Sequence, residues 1–149
     1  MTTRHAVVSC ARTWLGTPYH PCAMLKGKGV DCLTLLAAVY VEAGVFKEIP
    51  VHPYAKDWHL HRSQELYLQG VLKYAREIEG PPLPGDIAVW KFGRCFSHGA
   101  IVIAWPRVIH AYSGRRCMEE NAERAQWLKF IGEGKYAGKL RPVKFFTCF

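Results

Sequence analysis

The residues of this sequence that could carry out chemistry are one cysteine and two histidines that stand far apart along the chain. Cys32 opens an apolar run that continues almost to Ala43, which predicts a buried helix. His98 and His110 lie in short segments of alternating pattern, which is typical of strands. A helix start favours a thiolate, and a histidine on a strand can remove the thiol proton. The pattern therefore predicts a cysteine nucleophile with a histidine base, and hence an enzyme.

Each of these residues also has a simpler interpretation. Cys32 alone is typical of an inert buried thiol, His98 of a surface or turn residue, and His110 of a core histidine with a polar partner. A second histidine that bonds the first through one nitrogen fixes its orientation and tautomer. If the turn centres on Trp105-Pro106, however, position 98 pairs with about 113, and the offset from His110 is about 10 Å. Direct contact then requires a bulge or a different turn.

The elements that would position these residues are helices followed by strands. Thr3 is predicted to cap a first helix that ends at Gly16, and Asp31 is predicted to cap the helix that begins with the cysteine. A third helix is expected from about Ser63 to Arg76, because the apolar residues of that stretch recur at helical spacing. Strands follow at 86–92, 97–105, 108–113 and about 139–146. This order predicts an α+β domain rather than a parallel βαβ sheet.

Length and composition indicate one domain, 1–149, with a sizeable core. Of the 149 residues, 50% are hydrophobic, and no stretch is apolar and long enough to span a bilayer. The first residues carry no signal-peptide block, so we expect synthesis in the cytoplasm. The net charge of +8 favours anionic partners, but the basic residues are scattered and no nucleic-acid partner is expected.

The six cysteines show no CxxC spacing, and most are expected to be buried thiols. Cys95 and His98 have the spacing of a metal-binding pair. A zinc site needs two further ligands, so no metal is expected.

Several blocks of the chain, in the right order from about Val7 to Gly114, resemble the NlpC-type cell-wall cysteine peptidases, a papain-like family. The matching blocks are Trp14-Leu15-Gly16-Thr17-Pro18-Tyr19, Asp31-Cys32, Pro84-Gly85-Asp86-Ile87, Ser97-His98-Gly99-Ala100-Ile101-Val102 and Val108-Ile109-His110-Ala111. The long loop from Tyr19 to Asp31, the stretch His52–Trp58 and the stretch Ile109–Gly114 are most similar to the phage-tail and gene-transfer-agent branch. The resemblance implies a papain-like α+β fold, with the nucleophile helix packed on an antiparallel sheet.

The resemblance also implies roles for five residues. Cys32 would be the nucleophile, His98 the general base and acid, and His110 the orienting residue. Tyr19 would face the sulfur and help to bind substrate or oxyanion, and Asp31 would contact the polar end of the peptide. The implied substrate is a peptidoglycan stem peptide, cleaved between D-glutamate and the diamino acid, with no cofactor. The implied partners are tail-tip or hub proteins of a virion-like particle, which would deliver the protein to the cell wall.

Two alternatives keep the fold but change the function. Besides the peptidase, the chain could be a catalytically idle tail-tip assembly protein. A thiol acyltransferase, which excludes water from the acyl-enzyme, is the other interpretation. Residues 115–149 match no block of the family and are predicted to be a docking extension.

Overall fold

The computed structural model describes residues 3–51, 65–129 and 138–149, and these form a layer of helices on a six-stranded sheet. The helices are α1 (Arg4–Arg12), α2 (Cys32–Glu42) and α3 (Leu66–Leu72), with a 3₁₀ turn at Gln126–Leu128. The strands are β1 (Met24–Leu25), β2 (Gly29–Val30), β3 (Arg76–Ile78), β4 (Ile87–Phe92), β5 (Cys95–Ala104), β6 (Arg107–Ala111), β7 (Cys117–Asn121) and β8 (Val143–Thr147). The predicted α+β class is confirmed.

The large sheet has the strand order β3-β8-β4-β5-β6-β7, and each neighbouring pair is antiparallel. Strands β1 and β2 form a separate short hairpin before α2. Because β8 lies between β3 and β4, the last strand of the chain is internal to the sheet. None of the described helices is long and apolar enough to cross a membrane.

Helix α2 is central because its residues are apolar on every side, as the sequence predicts. Leu35 and Val39 are fully buried, and Tyr40 is nearly so. Asp31 caps the helix: its Oδ1 accepts from the backbone N–H groups of Leu33 and Thr34, each at 2.9 Å. The predicted N-cap is confirmed, and so is Thr3, whose Oγ1 accepts from the N–H of the third residue after it at 3.1 Å.

The sheet has an apolar core on each face, and alternation along β5 and β6 assigns residues to one face or the other. Ile101 and Ile109 belong to the core that α1 and α2 cover. Val102 and Val108 belong to the second core, on the opposite face. His98 is an even number of residues from Val102 along β5, so its side chain lies on the same face as that of Val102.

The pairing of β5 with β6 differs from the turn assumed from the sequence. Ala104 pairs with Arg107 next to the turn, but Val102 pairs with Val108 because the register shifts between Val102 and Ala104. Extended to residue 98, this register reaches position 112 rather than 113. Since a shift of one residue exchanges the two faces, the bulge is what brings His98 and His110 to the same face, two residues apart in register.

Other elements differ from the sequence-based expectations in extent. Within the described residues the third helix covers only Leu66–Leu72, because Arg76 is already paired with Thr147 in the sheet. The late strand begins at Val143, directly after Pro142, which has no N–H to donate to a ladder. The stretch His52–Trp58 lies outside the described residues.

The region 115–149, for which a docking role is predicted, contributes two strands to the large sheet. Strand β7 pairs with β6 through five residue pairs, and β8 pairs with both β3 and β4. These strands are part of the fold itself. The docking role stays a prediction.

Candidate active site

Cys32 is the first residue of α2, and its sulfur lies against the backbone of β5. The Sγ–H donates to the carbonyl oxygen of Ser97 at 3.8 Å, and the backbone N–H of Gly99 bonds the sulfur. These two backbone groups flank His98. The helix start and the strand, far apart in sequence, therefore meet at the residue for which the base role is predicted.

A tyrosine of α3, which the sequence interpretation missed, also holds Cys32. The Tyr67 hydroxyl donates to the carbonyl oxygen of Cys32 at 2.9 Å and lies close enough to the sulfur to lower its pKa. This contact needs Gly99, because a Cβ at that position would lie 2.3 Å from the Tyr67 oxygen. A lone glycine within a strand pattern signals such a close approach, and Gly99 could have indicated it.

The two histidines are buried and in direct contact. His98 is 6% exposed and His110 is fully buried, and His98 Nε2 lies 2.8 Å from His110 Nδ1. The offset of two residues between them is within reach for side chains on the same face of an antiparallel pair. The direct contact between the two histidines, which the sequence left open, is thus present.

The other nitrogen of His110 meets a carboxylate. His110 Nε2 lies 2.5 Å from Glu120 Oε2, on the edge strand β7. His110 pairs with Met118, so Glu120 is two residues further along on the same face. The sequence interpretation missed Glu120 because the segment Cys117–Asn121 is short and mostly polar and has no strand-like alternation.

Aromatic rings enclose the two histidines. The Tyr112 ring meets His98 edge-on at 5.3 Å between centroids, and Trp127 stacks over His110 at 6.5 Å. Trp90 lies 6.0 Å from His98 on the neighbouring strand, and the Arg115 guanidinium covers the Trp127 ring at 4.3 Å. The histidine pair therefore lies in a largely apolar setting, where hydrogen bonds are strong and unpaired charge is costly.

The sequence-predicted Tyr19 and Asp31 lie beside Cys32. Tyr19 is half-buried, and burial, followed by the nearby Cys32 and Asp31, raises the pKa of its hydroxyl. Asp31 is 1% exposed, and its Oδ2 accepts from the backbone N–H of Cys22 at 2.7 Å while its Oδ1 caps α2. Its observed contacts are with backbone N–H groups of α2 and of Cys22, and its contact with substrate stays a prediction.

Burial and the neighbouring carboxylate both act against a thiolate at Cys32. Burial first, and Asp31 second, raise the pKa of the Cys32 thiol to about 12, against the smaller opposing effect of the N–H of Gly99 and the Tyr67 hydroxyl. A sulfur in this position ionises at neutral pH only with a cationic partner. His98, whose neighbours Ser97 and Gly99 bond the sulfur through their backbone, would be such a partner once protonated.

Among residues 3–51, 65–129 and 138–149, no three side chains of His, Cys, Asp or Glu gather as a set of metal ligands. Cys95 and His98, the pair with metal-like spacing, lie on either side of a register shift in the β4–β5 pairing, Cys95 opposite Phe92 and His98 opposite Trp90. Cys95 is buried at the beginning of β5, and His98 bonds His110.

Comparison with solved structures gives the fold. The NlpC/p60 domain of the peptidoglycan hydrolase SagA superposes with a TM-score of 0.63 at 18% identity, over 95% of this chain and 97% of that one. The chain has the NlpC/p60 fold. NlpC2 from Trichomonas vaginalis superposes with a TM-score of 0.64 at 16% identity, over 98% of this chain and 46% of that one. NlpC1 from the same organism gives 0.59 at 18% identity, over 94% and 41%.

The predicted papain-like NlpC architecture is thus confirmed at the level of structure. No family model and no curated protein matches the sequence. At these identities the NlpC/p60 fold is what the likeness shows, and the activity must be argued from the residues.

Proposed function

We propose that the protein is a cysteine endopeptidase that hydrolyses the stem peptides of peptidoglycan. The observation that carries the proposal is the meeting of the Cys32 sulfur with the backbone on both sides of His98, whose ring is bonded to His110. A nucleophile, a base and a residue that orients the base are the parts that such catalysis requires. The NlpC/p60 fold and the ordered sequence blocks support peptidoglycan as the substrate.

The proposed reaction proceeds through a thioester. The S–H bond of Cys32 breaks, its proton passes to His98 Nδ1, and the sulfur electron pair attacks the carbonyl carbon of the scissile bond. The backbone N–H of Cys32, at the helix start, lies near the sulfur and donates to the oxygen that becomes negative. The C–N bond then breaks as His98 returns the proton to the leaving amine. Water, deprotonated by His98, hydrolyses the thioester and regenerates the thiol.

The finer assignment follows the sequence resemblance. We propose that the bond cleaved joins D-glutamate to the diamino acid, with Tyr19 and Asp31 contributing to the binding of substrate. We also propose that the protein works in a phage-like tail, alongside tail-tip or hub proteins, and acts at the cell wall or in the periplasm. The tail-branch similarity of the Tyr19–Asp31 loop and of Ile109–Gly114 supports this part.

The test is digestion of Gram-negative peptidoglycan by the purified protein, with released fragments identified by mass spectrometry. Cys32→Ala should release none, while Cys10→Ala, which removes a half-buried thiol of α1, should match the unmodified protein. Fragments that end at D-glutamate and begin at the diamino acid would identify the bond. Release by Cys32→Ala, or by no variant including the unmodified protein, would contradict the proposal.

The alternative of an idle tail-tip assembly protein is favoured by one observation, the raised pKa of the Cys32 thiol. In an idle protein that thiol stays protonated and reacts slowly with iodoacetamide at pH 7. In the peptidase, the imidazolium of His98 makes Cys32 react faster than the exposed Cys22. Mass spectrometry of the alkylated peptides distinguishes the two.

A further inference from the structure

We propose that Glu120 is a positioning residue of the active site, which sets the protons of both histidines so that His98 offers Nδ1 as a base to Cys32. The inference rests on the proposed function, since it concerns the same thiol. It is carried by an unbroken series of contacts across three strands: His98 Nε2 to His110 Nδ1 at 2.8 Å, and His110 Nε2 to Glu120 Oε2 at 2.5 Å.

The hydrogen-bond partners determine which ring nitrogens of the two histidines carry a proton. An ionised Glu120 only accepts, so His110 Nε2 must carry a proton and donate it. In the neutral ring, His110 Nδ1 then has a lone pair and accepts, so the proton between the two rings belongs to His98 Nε2. That leaves the lone pair of His98 on Nδ1, which is the nitrogen that takes the thiol proton.

Without the carboxylate, the opposite arrangement is equally available. If His110 carried its proton on Nδ1, it would donate to His98 Nε2, and His98 Nδ1 would then hold a proton. A ring in that tautomer cannot accept a proton from Cys32. A carboxylate that selects the tautomer of a catalytic histidine is an established device, and here it acts through one additional ring.

Glu120 also supplies charge where the reaction needs it. When the thiol proton moves to His98, a positive charge appears on a pair of rings that is buried and surrounded by Tyr112, Trp90 and Trp127. The carboxylate at the other end of the series stabilises that charge. It thereby favours the thiolate–imidazolium pair, against the burial and the Asp31 charge that oppose it.

Among the residues that the structure describes, the other ionisable groups around the site do not substitute for Glu120. From the α2 side, Asp31 and Tyr19 face the sulfur, and neither supplies positive charge. From the far side, Arg115 and Arg141 lie near the Tyr112 hydroxyl, and their positive charge opposes an imidazolium. Glu120 is the carboxylate in contact with the histidine pair.

The test compares Glu120→Gln with Glu119→Gln. Both variants remove one negative charge from β7, but Glu119 pairs with Arg12 and Arg107 at the surface. We expect Glu120→Gln to slow alkylation of Cys32 by iodoacetamide at pH 7 by at least about tenfold, the effect of one pKa unit. Glu119→Gln should react as the unmodified protein does. Equal rates for the two variants would overturn the proposal.

The pH dependence separates the role of Glu120 from simple loss of structure. The alkylation rates of Glu120→Gln and the unmodified protein should converge as the pH approaches 12, because the thiol then ionises without help from an imidazolium. A disordered site would instead differ at every pH. Glu120→Asp, which keeps the charge on a shorter side chain, should recover part of the rate at pH 7.

A second measurement needs no variant. Nitrogen-15 NMR of the imidazole rings in the intact protein should show His110 protonated at Nε2 and unprotonated at Nδ1, with His98 protonated at Nε2. A proton on His110 Nδ1 would contradict the proposal. Neither readout involves peptidoglycan, so a protein that shows these signatures but leaves the wall intact would contradict the proposed function alone.

Discussion

At the scale of single residues, the site combines groups that act in opposite directions on one sulfur. Asp31 stabilises the start of α2 through its backbone contacts, yet its charge raises the pKa of the Cys32 thiol. The structure therefore places a stabilising residue where its charge disfavours the thiolate, and in the proposed peptidase the histidines must compensate. The residue pattern predicted Cys32, His98 and His110 as one group, and the family resemblance added Tyr19 and Asp31. The pattern and the resemblance did not identify Glu120 or Tyr67, whose contacts depend on strand register and helix packing.

Asp31→Asn should separate the two effects of Asp31. The amide keeps one oxygen for the cap but removes the charge, so the pKa of the Cys32 thiol should fall below its value of about 12 and alkylation near pH 9 should accelerate. The backbone N–H of Cys22 loses its carboxylate partner, and unfolding should become about 1–3 kcal/mol easier. Both are measured on one sample, by iodoacetamide rates and by thermal unfolding.

Thr34→Val is the matched control for that variant. The Thr34 hydroxyl accepts from the N–H of Asp31 at 2.9 Å and donates to the carbonyl of Ala23 at 2.6 Å, so loss of this hydroxyl should also destabilise the fold. The charge of Asp31 remains, and the pH dependence of Cys32 alkylation should not move. An equal acceleration in Thr34→Val would show that loosening of the helix start, rather than charge, governs the thiol.

At the scale of elements, the geometry of the candidate site depends on two irregular features rather than on the elements themselves. The register shift between Val102 and Ala104 brings both histidines to one face, and Gly99 lets α3 approach β5. Alternation predicted strands β4, β5 and β6 because each buries apolar side chains. It could not predict the bulge, since the side chains on either side of it are apolar or small. It also missed β3 and β7, which are short and contain mostly polar residues.

Gly99→Ala tests the approach of α3 to β5. The new Cβ would lie 2.3 Å from the Tyr67 oxygen and 3.0 Å from the ring carbon that bears it, so Tyr67 must move away from Cys32. We expect unfolding to become about 1–3 kcal/mol easier, as for other overpacked sites, together with loss of peptidoglycan cleavage.

Tyr67→Phe provides the matching background for that change. It removes the oxygen that Gly99→Ala would crowd, so the glycine substitution should cost at least about 0.5 kcal/mol less when the two are combined. The free energies of unfolding of the four proteins in the cycle measure the coupling. Strict additivity would mean that the Tyr67 hydroxyl is not what the glycine accommodates.

At the scale of the whole molecule, the helices must stay fixed on the sheet if a site with groups on both sides of β5 is to keep its shape. Helix α2 covers one face, the histidines lie on the other, and Cys32 bridges them at the backbone of β5. The α+β class was predictable, because an apolar helix and alternating strands can bury their surfaces only against each other. The strand order was not, since β8 enters the sheet beside β4 from the far end of the chain.

A partly buried ion pair fastens the first helix to that sheet. Arg4 of α1 donates to Asp86 Oδ1 at 2.7 Å and to the carbonyl of Pro84 at 3.1 Å, and its other terminal nitrogen reaches Thr147 of β8. Asp86 is 1% exposed, and its second oxygen accepts from the N–H of Leu83. Arg4→Ala would leave this carboxylate buried without its cation, so we expect unfolding to become about 3 kcal/mol easier.

Arg12→Ala, in the same helix, shows what a surface pair contributes. Arg12 is 53% exposed and meets Glu119 at 3.5 Å, so its removal should change the free energy of unfolding by no more than about 1 kcal/mol. Denaturant unfolding of both variants measures the difference. Equal and small losses would mean that the Arg4–Asp86 pair does not hold the two layers together. A large loss confined to Arg4→Ala, with reduced cleavage of peptidoglycan, would link the attachment of the helices to the alignment of the Cys32 sulfur with His98.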